Sequence, residues 1–393
     1  MGCSLGAAVL AAALVLSGCG GGSHPARAKT AATAPVPVRT LYVQAPLSGP
    51  AAAEGRAMVD AVRLVVDQSG GVAGAVRVIV RALDDGGAGA ATDPARCAAN
   101  ARRAVADPAT LAVIGTYELS CSERALGVLR PAGIMLVSPV NAAGDLPGAL
   151  RLAPTLGDEG TAVAQLAHAL GATRIAIVSQ RRGAGIAFAR GLAAAAPALG
   201  AGPVAQLDAA TTPTAGLVPR LEAAQVQLVA LAGSPGPWAS DLLRAVARMP
   251  VAMRPSLVAS QSFETLTFLD SAGTAAQGMR VISRLVPAEQ LGGSARSFAD
   301  AYAELHGEPP PVAVYAADAA QTVLQAAAVS GATRAKVSTA LAALPAHDAL
   351  LGRWAATPTG GITPRPLAVL IIDNGTFRVE RVVSVSDPVA APG

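Results

Sequence analysis

IGTYELSCSERALGVLRPAGIMLVSPVN, residues Ile114 to Asn141, reads as strand, turn, helix, strand, turn, and it decides the fold class. The run Leu111 to Gly115 (LAVIG) is short, apolar and stops at a glycine, and Gly133 to Pro139 (GIMLVSP) repeats that plan before a proline. Continuous apolar runs of this length fit parallel strands covered on both faces. Between them Leu119, Leu126, Val128 and Leu129 fall near helical spacing, which predicts a compact βαβ unit. Its polar loops would lie at the carboxyl ends of the strands, where open α/β sheets bind ligands.

The same alternation extends in both directions. Upstream, RTLYVQAPLSGP (Arg39 to Pro50) predicts a strand broken at Pro46, followed by a helix with Met58, Val62, Val65 and Val66 on one face. GGVAG ends that helix, VRVIVRALDD (Val76 to Asp85) is the next strand, and ATDPARCAANARRAVAD opens with an Asp-Pro helix start. Downstream, a helix carrying Val163, Leu166 and Leu170 leads to a strand, RIAIVS (Arg174 to Ser179), that begins a second α/β series. GIAFARGLAAAAPALG predicts a helix, VQLVALAG (Val226 to Gly233) a buried strand, SDLLRAVARM a helix, and MRVISRLVP (Met279 to Pro287) a strand leaving the series. Two helices follow, SARSFADAYAELHGEPPP and AVYAADAAQTVLQAAAVSG, and PLAVLIIDNGTFRVERV (Pro366 to Val382) reads as a hairpin turning at Asn374-Gly375. The chain carries no short-period repeat, no Walker A loop and no Rossmann glycine pattern.

Composition narrows the function. With 393 residues, 52% apolar and 14% charged, the chain can bury a large core in about two domains. An aromatic share of 3%, a net charge of +4 and the lack of a dense Lys/Arg run argue against nucleic acid as a partner. The cysteines, at positions 3, 19, 97 and 121, have no two-by-two zinc spacing, and His24, His168, His306 and His347 are scattered with no HxxxH or HExxH pattern. Neither a metal nor a cofactor is expected. With no SxxK and no histidine near a plausible nucleophile, a hydrolase is the weakest reading, and an enzyme is not expected.

The amino end reads as an address. Leu5 to Leu16 is an apolar run, shorter than the ~20 residues that span a bilayer, and it runs into Leu16-Ser17-Gly18-Cys19. That ending resembles the lipobox of bacterial lipoproteins, which implies a signal peptide over 1–18 and acylation of Cys19. No Lys or Arg precedes the run. Met-Gly-Cys at the start suggests myristoylation, but Gly6 stands where Ser or Thr is wanted. The following stretch, rich in Gly, Ser, Ala, Thr and Pro, is expected to be a tether over 19–38. The folded part would then sit outside the cytoplasmic membrane, held by lipid.

PLSGP, GGVAG, LDD with DPARCAANARRAVAD, AVIGTY with Cys121 just after it, LVSPVN, AVYAADAAQTVLQAA and DNGTF occur in that order over residues 39–382. In this order they resemble the type I periplasmic substrate-binding proteins, specifically the leucine/isoleucine/valine-binding branch that serves ABC importers. The resemblance implies two doubly wound, Rossmann-like α/β lobes joined by three crossovers, expected near 152–155, 280–284 and 354–361. It divides the chain into an N-terminal lobe (39–153 plus 285–353) and a C-terminal lobe (154–284 plus 354–385). Ligand held between lobes would stabilise a closed form by touching both. The implied partners are a small-molecule ligand and the membrane subunits of the importer, and a monomer is expected. The family also places a disulfide in the region of Cys97 and Cys121, the alternative being two buried thiols.

Carried onto this chain, the family pattern points to Tyr117, Glu118, Ser120, Ser122, Ser138 and Asn141 in the first lobe. Arg182, Ser234 and Gln261 are the matching positions in the second. Departures from the pattern are Leu119 and Ala142, which remove two expected donors, and Gln261, which stands where an acid would meet a ligand ammonium. Arg181 or Arg182 would favour an anionic ligand if turned into the cleft; a solvated place at its rim is the other reading. Glu118 faces either cleft or solvent, and Trp238 either covers ligand or packs within its lobe. Asp318 is expected to make a hinge or capping contact, and Asp84-Asp85 to be structural. An amino acid or related carboxylate or amide is the expected cargo; the alternative is a sensor or scaffold lipoprotein that has altered or lost binding.

Overall fold

The computed structural model describes residues 35–141, 146–180 and 183–386. The expected signal peptide, Cys19, most of the tether, Ala142, Arg181 and Arg182 lie outside them.

The first stretch of chain builds β1 (Val38–Ala45), α1 (Ala52–Gln68), β2 (Val72–Ala73), β3 (Val76–Asp84), α2 (Pro94–Ala106), β4 (Thr110–Gly115), α3 (Leu119–Leu129), β5 (Leu136–Ser138) and β6 (Ala149–Arg151). These strands form one sheet in the order β2-β3-β1-β4-β5-β6, parallel except where the short β2 runs against β3. β1 is central and buried from Thr40 onward, and β4 is buried along its whole length, which is why both are nearly unbroken apolar runs. Asp93 caps α2 by accepting the Ala95 N–H at 2.8 Å, ahead of the proline at the helix start. From β1 the chain steps to β3 on one side and returns to β4 on the other. Strand order reverses there, so the sheet's crevice opens at the carboxyl ends of β1 and β4.

A second sheet follows the same logic. After α4 (Leu156–Ala169) come β7 (Arg174–Ser179), α5 (Ala184–Ala195), β8 (Gly202–Asp208), α6 (Thr214–Ala223), β9 (Leu228–Ala232), α7 (Pro237–Ala247), β10 (Ser256–Ala259), α8 (Leu266–Ala272) and β11 (Arg280–Ser283). The chain then returns to the first lobe as α9 (Gly293–His306), α10 (Pro311–Ser330), α11 (Arg334–Ala342) and a small antiparallel sheet of β12 (His347–Ala349), β13 (Gly352–Ala356) and β14 (Ile362–Thr363). It ends in the second sheet with β15 (Arg365–Asp373) and β16 (Thr376–Val385), giving the order β16-β15-β11-β10-β9-β7-β8. The hairpin turns at Asn374 and Gly375, both at positive φ.

Each sheet is covered on both faces. The larger first-lobe core joins α1, α10 and the sheet, where Ala313, Ala316, Ala317 and Ala320 of α10 are fully buried. Small side chains let that helix lie close to its neighbours, which accounts for a helix that is apolar nearly all round. Trp354 and Ile362 also belong to this core, whereas Ala368 and Ile372 of β15 pack in the second lobe. Passages between lobes therefore run at 152–155, 284–292 and between Ile362 and Arg365.

Candidate functional site

On the first-lobe side, Gly115 ends β4 at φ +138°, and a Cβ there would collide with the Gln44 carbonyl of the adjacent strand. The chain then turns sharply into Thr116, Tyr117 and Glu118. The Thr116 and Ser122 hydroxyls meet at 2.6 Å, and the Asn141 amide donates to Ser122 Oγ at 2.6 Å, so a buried polar chain joins the loops after β4 and β5. Ser138, the last residue of β5, is fully buried, and its Oγ has no hydrogen-bond partner among the described residues. Glu118 Oε2 accepts the Thr92 hydroxyl at 2.6 Å. Tyr117 is half-buried; burial raises its hydroxyl above the ordinary range, with Glu54 and Glu118 adding to the effect and Arg284 opposing it. Ser120 is exposed on α3. Leu119, the first residue of α3, is exposed.

Cys97 on α2 and Cys121 on α3 are bonded, with Cα atoms 5.4 Å apart. Beneath them lies Asp85, fully buried, with Oδ2 3.1 Å from Cys121 Sγ. Burial pushes this carboxyl up to about 7, and the nearby charges of Asp84 and Glu118 act in the same direction. Asp85, Cys97 and Cys121 cluster like metal ligands, but bonded sulfurs offer no thiolate, so the trio holds no ion in this state. Asp84 is structural: its carboxylate accepts N–H groups of Leu47, Ser48 and Gly86 and the Ser48 hydroxyl, shaping the loop after β1.

The second-lobe side is organised around residues that pattern reading did not single out. Glu159, in the first turn of α4, is fully buried; its Oε1 lies 2.7 Å from Arg284 Nε and its Oε2 accepts the Gln261 N–H at 3.1 Å. Gln261 Oε1 in turn accepts the Arg284 N–H at 3.2 Å. Burial pushes Glu159 up to about 7 against the pull of Arg284, and burial also raises Glu264, whose Oε2 has no hydrogen-bond partner among the described residues. Tyr315 of α10 donates to the Arg284 carbonyl at 3.0 Å, linking the first lobe to this passage. Ser234 is exposed, with its carbonyl accepting Trp238 Nε1 at 3.3 Å, and the Trp238 ring meets Phe263 edge-on at 6.0 Å. Trp238 thus packs within its lobe. Asp318, expected to make a hinge or capping contact, accepts the Leu351 N–H between β12 and β13 at 2.8 Å.

The available signals for the missed residues were slight. Thr155-x-x-Asp158 is a capping box, which marks a helix start without showing that the next acid faces an arginine far away in sequence. Arg284 stands at the carboxyl end of a buried strand, a position where a charged residue merits attention.

The model of the family described as periplasmic binding protein matches residues 43–376. The chain belongs to that family. Among solved structures, one described as a putative branched-chain amino acid ABC transporter from Rhodospirillum rubrum is 26% identical over 87% of this chain and 99% of its own, with a TM-score of 0.71. A Streptococcus pneumoniae branched-chain amino acid binding protein in complex with isoleucine is 19% identical, covering 88% of this chain and 100% of its own at a TM-score of 0.64. A Rhodopseudomonas palustris solute-binding protein in complex with 4-hydroxybenzoate is 18% identical, covering 89% and 97% at 0.67. No curated protein matches the chain in sequence. Members of the periplasmic binding protein family and these structural neighbours bind substrates for transport and are not enzymes.

Proposed function

We propose that this chain is an extracytoplasmic, lipid-anchored solute-binding protein that holds an amino acid or related amide between its lobes and hands it to an ABC importer. The carrying observation is the interlobe charge balance. Glu159 and Glu264 lie with a single guanidinium, Arg284, and Glu54 and Glu118 flank Tyr117 on the facing lobe. Carboxylates outnumber cations among these described residues, and a buried carboxylate is costly without a donor. A ligand presenting a protonated nitrogen suits this setting better than a simple aromatic carboxylate such as the one held by the Rhodopseudomonas relative. Gln261 in the expected acidic position then removes less than it seemed to, because Glu159 and Glu264 stand beside it. Ser138 Oγ, buried with no hydrogen-bond partner among the described residues, supports retained binding over a scaffold that binds nothing.

Ligand-site roles are proposed for Tyr117, Ser138, Gln261, Glu264 and Arg284, with Ser122 and Asn141 shaping their loops; the chain would act as a monomer. Thermal-shift measurements against amino acids, amides, hydroxybenzoates and nucleosides test the reading, since a ligand of the folded state raises the melting temperature by mass action. A rise with amino acids or amides supports it, and silence across the panel favours the scaffold. For the anchor, labelling cells with a fatty-acid analogue should mark the wild type and not Cys19→Ala, and unlabelled wild type would reject lipidation.

A further inference from the structure

The carboxyl ends of the parallel first-lobe strands open on the crevice, so their amino ends form the opposite pole, and the chain enters the described fold there, at residue 35 ahead of β1. Short contacts gather this pole. The Pro37 carbonyl accepts the Arg77 N–H at 2.9 Å, Arg39 Nε donates to the Ala332 carbonyl at 2.8 Å, and Arg334 Nη2 donates to the Asp107 carbonyl at 2.6 Å. Ser338 Oγ donates to the Gly133 carbonyl at 2.8 Å, which brings the loop after α3 against α11. Two kinds of side chain face water there. Arg77, Arg102, Arg103, Arg130 and Lys336 are exposed, and none of them forms an ion pair among the described residues. The described acids on the same turns are Asp67, which is exposed, and Asp107, whose carboxylate already accepts the Thr40 and Tyr42 hydroxyls and the Ala109 N–H. Val36, Val38, Val72 and Val329 are exposed among these cations, Val329 by 83%. Val38 and Val72 stand in one cross-strand row on either side of Arg77. Ala328 packs against Gly74, which sets Val329 next to β2.

We propose that this pole docks on an anionic phospholipid surface, with the five cations meeting phosphates and the valines resting at the headgroup boundary. The choice of partner rests on the lipid-anchor reading given above. Cys19 lies 16 residues before residue 35. That is at most about 55 Å of extended chain, so acylation holds this pole within that reach of the bilayer. Unpaired cations close to an anionic leaflet and apolar side chains at its boundary then add to the anchor and orient the fold. A second copy of the chain is the poorer occupant, because two such poles carry like charge. Charge alone does not single out the pole: Arg248 and Arg254 flank another exposed apolar tip, Val251 to Met253, in the second lobe. The chain does not enter the fold there, which makes that tip the control. The docking is electrostatic in part and weakens with salt, since exposed charges are screened over about 8 Å at physiological ionic strength.

A bimane label at Val72→Cys, in the full chain reconstituted through its anchor into vesicles of one phosphatidylglycerol to two phosphatidylcholine, reports contact through quenching by a headgroup spin-labelled lipid. Cys97 and Cys121 are bonded to each other and do not take the label. Quenching is expected in these vesicles, and it should be lost at high salt and in pure phosphatidylcholine. Arg77→Gln/Arg130→Gln/Lys336→Gln should lose it while still floating with the vesicles, and a label at Val251→Cys should stay unquenched throughout. Equal signals at position 72 in the two lipids, or equally strong quenching at position 251, would overturn the docking. Flotation with neutral vesicles reads the anchor separately. If the wild type fails to float, lipidation is lost and docking is decided by sedimentation of the unanchored chain with the phosphatidylglycerol vesicles. That binding should be at least about tenfold weaker in the triple variant, and its absence in the wild type, or equal binding by both, would reject the proposal. Circular dichroism melts establish that the variants fold; if the triple variant does not, the salt and neutral-lipid comparisons on the wild-type surface decide.

Discussion

The Asn141 side-chain amide donates to Ser122 Oγ at 2.6 Å, fastening the loop after β5 to the first turn of α3. The same hydroxyl meets Thr116 Oγ1, so Ser122 is the hub of a buried polar chain under the first-lobe half of the cleft. Ser122→Ala should leave both neighbours short of a bond and cost about 1–3 kcal/mol, read as a lower urea midpoint at unchanged m. A change within about 0.5 kcal/mol would remove Ser122 from that role.

Ser138→Ala should behave differently. Its hydroxyl is buried with no hydrogen-bond partner among the described residues, so removing it relieves an unsatisfied polar group. Melting temperature should hold or rise while ligand affinity falls. Loss of stability with unchanged affinity would assign Ser138 to packing.

The Cys97–Cys121 bond closes a 24-residue separation between α2 and α3. On the chain-entropy model its removal costs about 3.5 kcal/mol. Cys97→Ala/Cys121→Ala should therefore melt well below the wild type under non-reducing conditions. An equal melting temperature would show that packing of the two helices alone holds the region.

Three buried acids make stability fall with rising pH. Burial raises Asp85 and Glu159 to about 7 and Asp318 to about 6. Each binds a proton more tightly folded than unfolded, so its contribution is fully present below the unfolded value and is lost as pH rises through about 6 to 7. Urea midpoints should drop between pH 5 and 8, and Asp85→Asn should flatten the slope. A slope unchanged by that substitution would rule out Asp85 as a source.

Much of this architecture is legible in the sequence. LAVIG and GIMLVSP become β4 and β5, RIAIVS becomes β7 unaltered, and Asn374-Gly375 makes the hairpin turn. These are local signals, carried by strand burial on both faces or by turn geometry. β8, with exposure scattered along it, and the four-residue β10 lack such a pattern and escape a periodicity reading. The site was half legible. Tyr117, Ser122, Ser138 and Asn141 sit at or just beyond the carboxyl ends of β4 and β5, which the apolar runs already mark. Glu159, Glu264 and Arg284 are far apart in sequence and meet only in the fold, and no spacing rule encodes that meeting.

Isothermal titration calorimetry of the purified protein with leucine and with its deaminated counterpart, 4-methylpentanoate, tests the central claim most directly. The pair shares shape and carboxylate and differs in the protonated nitrogen. One-site binding of leucine, at least tenfold weaker for 4-methylpentanoate and weakened in Glu264→Gln, is the predicted result. Equal or tighter binding of 4-methylpentanoate, or tight binding of 4-hydroxybenzoate with none of the amino acid, would contradict it.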